Sequence, residues 1–205
     1  MEREYKWKIP QDTMSALAGY LHEEKERVSH ETIRMAAIYY DTPDDLVYRN
    51  SAALRIRKEN GRSVVCMKRT LKKEGAQALR EEYEVEAHTL EGGLIKLPEA
   101  GAPRDLCMML STQTFRELAR TEFIRNSYLF EISTDAGFTA EFSIDIGVLG
   151  AVGNMHPFEE IELELKSGDT DAFIAYAEML EQRFSLIPQK RSKLARAIVA
   201  AGTAQ

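Results

Sequence analysis

The chain has 205 residues, 44% of them hydrophobic and 29% charged, a globular composition sized for one large domain or two small ones. Twenty-seven basic residues against 33 acidic ones give a net charge of −6, which argues against a basic nucleic-acid binder. Cys66 and Cys107 are far apart, which excludes a disulfide framework and a cysteine zinc site; no apolar run approaches the roughly 18 residues of a membrane span, and Met1-Glu2-Arg3-Glu4 is too polar for a signal peptide. A reducing, cytoplasmic setting without membrane partners is the expectation.

Residues 2–9 alternate strictly, with Glu2, Glu4, Lys6 and Lys8 on one face and Arg3, Tyr5, Trp7 and Ile9 on the other, and Pro10 ends the strand. A helix is predicted over 11–25, where Met14, Leu17, Ala18 and Leu21 form a stripe and Gln11 or Asp12 stands at the cap position. Residues 31–42 are rich in strand formers, and a short helix is expected from Pro43 to about Tyr48. Strands over 51–59 and 62–71 flank the hairpin turn Asn60-Gly61. A polar turn at Lys72–Gly75 leads to a strand over 77–88. The Gly- and Pro-punctuated stretch 89–118 reads as short helices and loops. Strands follow over 119–133, 138–147 and 157–167, with a turn expected at Gly147–Gly153, then helices over 170–184 and 192–201. The pattern predicts an α+β fold on an antiparallel sheet, with peripheral helices and a single domain over 1–205.

The strands sort their charges by face. Arg55 and Arg57 lie opposite Leu54 and Ile56, and Cys66 and Lys68 lie opposite Val65 and Met67. Arg80, Glu82, Glu84 and Glu86 share a face, as do Glu141, Ser143 and Asp145, and Glu160, Glu162, Glu164 and Lys166. For any one strand, a solvated outer face explains this. Taken together, carboxylates repeated at i, i+2 on several strands repel one another unless cations stand between them. A sheet curled into a barrel with a charged interior and apolar residues outward under helices accounts for the segregation. Facing acidic and basic walls describe a site for a divalent cation and a polyphosphate.

These residues resemble a known family. Glu2-x-Glu4-x-Lys6 is similar to the ExExK signature of the CYTH superfamily, the triphosphate tunnel metalloenzymes. Further matches follow in order: Tyr40-Asp41-Thr42, Leu54-Arg55-Ile56-Arg57, Met67-Lys68, Arg80-x-Glu82-x-Glu84, Asp145-x-Gly147, Glu160-x-Glu162-x-Glu164-x-Lys166-Ser-Gly and Ser192-Lys193. The resemblance implies a closed eight-stranded antiparallel barrel forming a tunnel, and hydrolysis of a triphosphate, with inorganic triphosphate as the first choice. It also implies Mg²⁺ or Mn²⁺. It implies metal-ligand positions at Glu2, Glu4, Glu82, Glu84, Asp145, Glu162 and Glu164. Triphosphate-binding positions are implied at Lys6, Arg55, Arg57, Lys68, Arg125, Lys166 and Lys193, with Lys6, Glu4 and Glu162 nearest the chemistry. Cys66 departs from a common Thr, Glu86 leaves Glu84/Glu86 open as an alternative ligand pair, and Lys190 stands beside Lys193 as an alternative. The family's larger members carry a second, helical domain, which is not expected within 1–205. Class IV-type adenylyl cyclase chemistry and a non-catalytic triphosphate or nucleotide sensor are the alternatives. His22, His30, His88 and His156 have no metal-binding spacing, and no P-loop is present.

Overall fold

The computed structural model describes residues 2–23, 27–74, 77–132 and 137–202, and of these the side chains of Glu2, Gln11, Lys73, Glu74, Gln77 and Ala78 lie outside the description. Strand β1 (Glu2–Lys8) is followed by a 3₁₀ turn (Gln11–Thr13) and helix α1 (Met14–Glu23), so the predicted first helix opens as 3₁₀. Next come β2 (Arg27–Asp41), α2 (Leu46–Arg49), β3 (Ala52–Glu59), β4 (Arg62–Glu74) and β5 (Gln77–Glu86). Helices α3 (Leu90–Lys96) and α4 (Arg104–Ser111) fill the Gly- and Pro-rich stretch, with a 3₁₀ turn between them. Three long strands, β6 (Arg116–Ile132), β7 (Phe138–Ala151) and β8 (Asn154–Gly168), precede α5 (Thr170–Arg183), the two-residue β9 (Ile187–Pro188) and α6 (Lys193–Ala200).

The strands pair in the order β5-β4-β3-β2-β6-β7-β8-β1, all antiparallel, and β1 pairs back onto β5, closing an eight-stranded barrel. Closure removes the sheet edges. One strand cannot span two neighbours along its whole length here: β1 meets β5 through residues 2–5, while β9 covers Trp7 and Lys8. The sequence pattern did not signal β9, because two residues carry no period.

Two expectations are corrected in extent. The expected turn at Gly147–Gly153 shrinks to Val152-Gly153, because β7 runs on to Ala151 and β8 starts at Asn154. Gly147 and Gly150 mark close backbone approach within the ladder: a Cβ at either would sit 2.1 Å from the carbonyl oxygen of Glu122 or Asn154. The predicted turn at Lys72–Gly75 falls partly outside the described residues, and β4 continues through Glu74.

The apolar core lies outside the barrel wall. Trp7, Phe142, Ile161 and Leu163 are buried against Leu17 and Leu21 of α1 and Phe173, Ala177 and Leu180 of α5. A second cluster joins Leu54, Val65 and Met67 to Leu90 and Leu94 of α3 and Leu106 and Leu110 of α4. A smaller one seats Ala197 of α6 on Ala119, Leu149 and Phe158. Each fully buried Leu or Phe contributes about 1.5–3 kcal/mol. Helices thus cover one face of most strands, and the period of two turns the charged alternates inward. Asp41 serves the scaffold: its carboxylate accepts from the backbone N–H groups of Thr42 (2.7 Å), Val47 (2.8 Å) and Tyr48 (3.0 Å), tying β2 to α2.

Candidate functional site

The barrel encloses a cavity of about 880 Å³. Its lining includes Lys6 from β1, Arg55 and Arg57 from β3, and Cys66 and Lys68 from β4. Arg80, Glu82 and Glu84 come from β5, Arg125 from β6, Glu141 from β7, and Glu162, Glu164 and Lys166 from β8. Lys193 enters from the first turn of α6. The side of the cavity formed by β2 carries no charge: Ile33, Met35 and Tyr39 line it, next to Phe123 of β6. Of the residues singled out in the sequence, Glu4 and Asp145 are buried just behind this surface, and the side chain of Glu2 lies outside the described residues.

Register explains the wall built by β3, β4 and β5. Arg55 is directly opposite Cys66, which is opposite Glu84, and Lys68 is opposite Glu82. Arg55 donates to Glu82 at 3.2 Å, Lys68 lies 2.9 Å from Glu82, and Arg57 lies 2.9 Å from Glu84. The Cys66 thiol donates to Glu84 at 2.7 Å. Burial pushes that thiol up to about 12, against the opposing pull of Arg55 and Arg57, so it stands as a neutral donor. Burial alone would favour a neutral Glu82, yet Lys68 and Arg55 hold its carboxyl below the usual carboxylate range. Glu86 stands apart in an exposed pair with Arg62, 3.1 Å away, which leaves Glu82 and Glu84 as the β5 carboxylates on the lumen.

The wall built by β6, β7, β8 and α6 is deeper. Asp145 is fully buried and takes a bidentate contact from Arg125, both bonds 2.8 Å. Lys193 lies 2.8 Å from Asp145 and 2.9 Å from Glu162, and also contacts Glu160. Arg125 reaches Glu162 at 2.5 Å, and Lys6 contacts the same carboxylate. Burial opposes the charge on Glu162, but Lys193, Lys6 and Arg125 hold its carboxyl well below the ordinary range. Lys193 is likewise raised: burial opposes its charge, and Asp145, Glu160 and Glu162 outweigh that. Lys190 is exposed and does not line the cavity, so Lys193 is the lysine that enters the tunnel.

A third acidic row runs across three strands. Glu141 of β7 is directly opposite Glu164 of β8, which is opposite Glu4 of β1. Lys166 lies 3.0 Å from Glu164 and 3.4 Å from Glu141, and Lys6 lies 3.1 Å from Glu4. Glu4 also contacts Arg80. Like charges facing across adjacent strands repel, and cations between them offset this.

Among the described residues, two clusters bring three metal-capable groups within 4.8 Å: Cys66, Glu82 and Glu84, and Asp145, Glu160 and Glu162. No histidine belongs to either. Sequence reasoning placed Glu141, Glu160 and Arg80 on the right faces but gave them no role. Arg196, which contacts Glu160, was missed. Its signal is helical: it stands three residues after Lys193, on the same side of α6.

Comparison with known proteins agrees with this geometry. Over 155 residues the chain is 27% identical to the inorganic triphosphatase of Haemophilus influenzae, covering 75% of this chain and 42% of that protein; the chain spans about two fifths of that relative's length. A candidate adenylyl cyclase from Hippeastrum, described as having a dominant triphosphatase activity, shares the fold with a TM-score of 0.62 at 18% identity, over 95% of this chain and 94% of the other. The PH1819 protein of Pyrococcus horikoshii OT3 gives a TM-score of 0.55 at 20% identity, over 96% and 97%. A family model for the CYTH domain matches residues 1–198, taking in the eight barrel strands and most of α6, and the chain belongs to that family.

Proposed function

We propose that this chain is a metal-dependent phosphoanhydride hydrolase whose preferred substrate is inorganic triphosphate, bound inside the barrel. The observation that carries the reading is that carboxylates and cations from seven strands and α6 face one enclosed lumen. The cavity volume is within the range of about 300–1,000 Å³ typical of small-molecule sites.

The donor set fits a hard divalent cation, Mg²⁺ or Mn²⁺. Oxygen donors dominate the carboxylate row Glu141, Glu164 and Glu4 and the cluster Asp145, Glu160 and Glu162. Glu4, with Glu2 two residues before it in sequence, Glu164, Glu162 and Asp145 on the deep wall, and Glu82 and Glu84 opposite are the residues that would hold it. When bound, such a cation neutralises phosphate oxygens and acidifies water.

The protein's own groups do the rest. Arg57, Arg55 and Lys68 grip the phosphate chain from the open wall, Arg in the bidentate manner that suits phosphate. Lys6, Arg125 and Lys193 meet the equatorial oxygens of the terminal phosphoryl group from the deep wall and counter the charge that grows there in the transition state. Lys166 lies at the outer end of the acidic row and holds the far phosphate. Glu162, on the lumen and in contact with Lys6, orients the attacking water in line with phosphorus, and Glu4, buried behind it, holds Lys6. Helix α6 points its N-terminal turn into the cavity, which adds partial positive charge.

The test is direct. The protein is incubated with inorganic triphosphate, thiamine triphosphate and ATP, each with Mg²⁺ or Mn²⁺, and phosphate, pyrophosphate and cyclic AMP are measured. Phosphate released fastest from inorganic triphosphate supports the reading. Cyclic AMP from ATP would replace it with cyclase chemistry, and binding without any product would replace it with a sensor.

A further inference from the structure

The helices leave part of the barrel's outer surface bare. Helices α1 and α5 cover the outer residues of β6, β7 and β8 as far as Tyr128, Ile144 and Ile161, and α3 and α4 reach across to Ile56 of β3. Between these two covers lie the outer face of β2 and the middle of β6 and β7. Because Ile33, Phe123 and Arg125 line the cavity, the period of two turns Arg34 of β2 and Ile124 of β6 outward. Ile124 is directly opposite Ile146 of β7, and the two are 39% and 44% exposed. A single exposed isoleucine calls for no explanation, but two side by side on neighbouring strands form an apolar ridge.

The charges around that ridge are sorted. One register row crosses four strands as Arg34, Ile124, Ile146 and Glu159. In the next row Lys58 and Glu122 flank Ala36. The cations therefore stand on the β3–β2 side and the carboxylates on the β6–β8 side. All four charged residues are exposed, and none makes an ion pair among the described residues. Arg120, next to Glu122 on the same side of β6, is instead engaged by Glu117 at 2.7 Å.

We propose that this face is an interface whose occupant is a second copy of the chain, packed sheet to sheet about a two-fold axis that runs along the strands between β6 and β7. The charge order of the row selects that occupant. Rotation about such an axis reverses the row, so Arg34 of one copy meets Glu159 of the partner subunit, twice over, and Ile124 of one copy meets Ile146 of the partner subunit. A partner carrying one sign of charge would be repelled at one end of the row, whereas a copy of the same chain complements it throughout. On the convex wall of a barrel the isoleucines stand at the crest, and the long Arg and Glu side chains form the polar rim.

Sedimentation of the full chain between about 1 and 200 µM, the range in which small interfaces associate, is expected to show monomer passing to dimer. Arg34→Glu alone and Glu159→Arg alone should each weaken association about tenfold or more, because both symmetry-related pairs turn from attraction to repulsion. Mixing the two single variants should restore the dimer, since every altered side chain then meets its opposite charge, and the double variant should dimerise by itself for the same reason. Ile124→Lys should abolish association while circular dichroism shows the fold intact. A parent chain that stays monomeric over the whole range leaves the face to some other occupant and would overturn the proposal. So would a dimer that keeps its affinity in both charge reversals, or one that mixing fails to rescue, since its contact then lies elsewhere. The readout is mass, so a chain that dimerises in this way without hydrolysing triphosphate loses the proposed function and keeps this interface.

Discussion

The two charged walls of the tunnel hold similar groups in different states. On the deep wall the Asp145 side chain is fully buried and that of Glu162 is 12% exposed, and each is engaged by at least two cations. On the open wall the Glu84 side chain is 36% exposed and shares its contacts with Arg57 and the neutral Cys66 thiol. Burying a charge is tolerable only when partners compensate it, so the deep wall is as much scaffold as site. The open wall trades water for ligand at lower cost, and under the proposed function a phosphate chain there would compete with Glu82 and Glu84 for Arg55 and Arg57.

The largest effect should come from breaking the deep wall. Asp145→Ala strands Arg125 and Lys193 and should cost about 3–5 kcal/mol, read as a fall in the urea midpoint of the metal-free protein; Glu82→Ala on the open wall should cost less, about 1.5–3 kcal/mol. The acid limb sharpens the contrast. The folded-state carboxyls of Asp145, Glu162 and Glu82 are depressed, so their contribution is present above the ordinary carboxylate pKa of about 4 and is lost as pH falls through their folded values. The urea midpoint should be level near neutrality and drop on acidification, and Asp145→Ala should flatten that drop. An equal drop in the variant would show that the deep wall stores no such stability.

Activity comes next. Glu4→Gln should lower turnover by about 10²–10³-fold, the scale of losing one charge-stabilising group, measured at saturating Mg²⁺; near-parental turnover would remove Glu4 from the site. Arg57→Ala should act mainly on KM, raising it by about tenfold or more, since its proposed role is grip on the open wall. Steady-state kinetics with both constants unchanged would deny that role. The smallest effect is expected at Cys66. Cys66→Ser keeps a donor toward Glu84 and should change stability by no more than about 1 kcal/mol. With its pKa pushed up to about 12, the thiol of the parent should stay unreactive to thiol reagents up to about pH 10. Rapid modification there would mean the open wall is far wetter than its packing indicates.

Much of the tunnel was legible in the sequence because a strand has a period of two, and each charged face could be read without knowing its neighbours. Leu54-Arg55-Ile56-Arg57 and Phe142-Ser143-Ile144-Asp145 each declare one apolar and one polar side, and both turn their apolar sides to the helices. The uncharged wall of β2 was not read, since Ile33, Met35 and Tyr39 carry no charge pattern to mark them. The role of Arg196 stayed hidden because it depends on α6 docking beside Glu160, a contact 36 residues apart.

What the sequence determined by itself is local: which side chains share a face, where turns fall, and that like charges recur too closely to be left uncompensated. Only the tertiary structure decided which cation meets which carboxylate, that Glu86 stands outside while Glu82 and Glu84 line the lumen, and that Asp145 lies fully buried. Those outcomes depend on strand order, register and the closure of β1 onto β5, which bring distant residues within a few ångströms and set how much water remains between them.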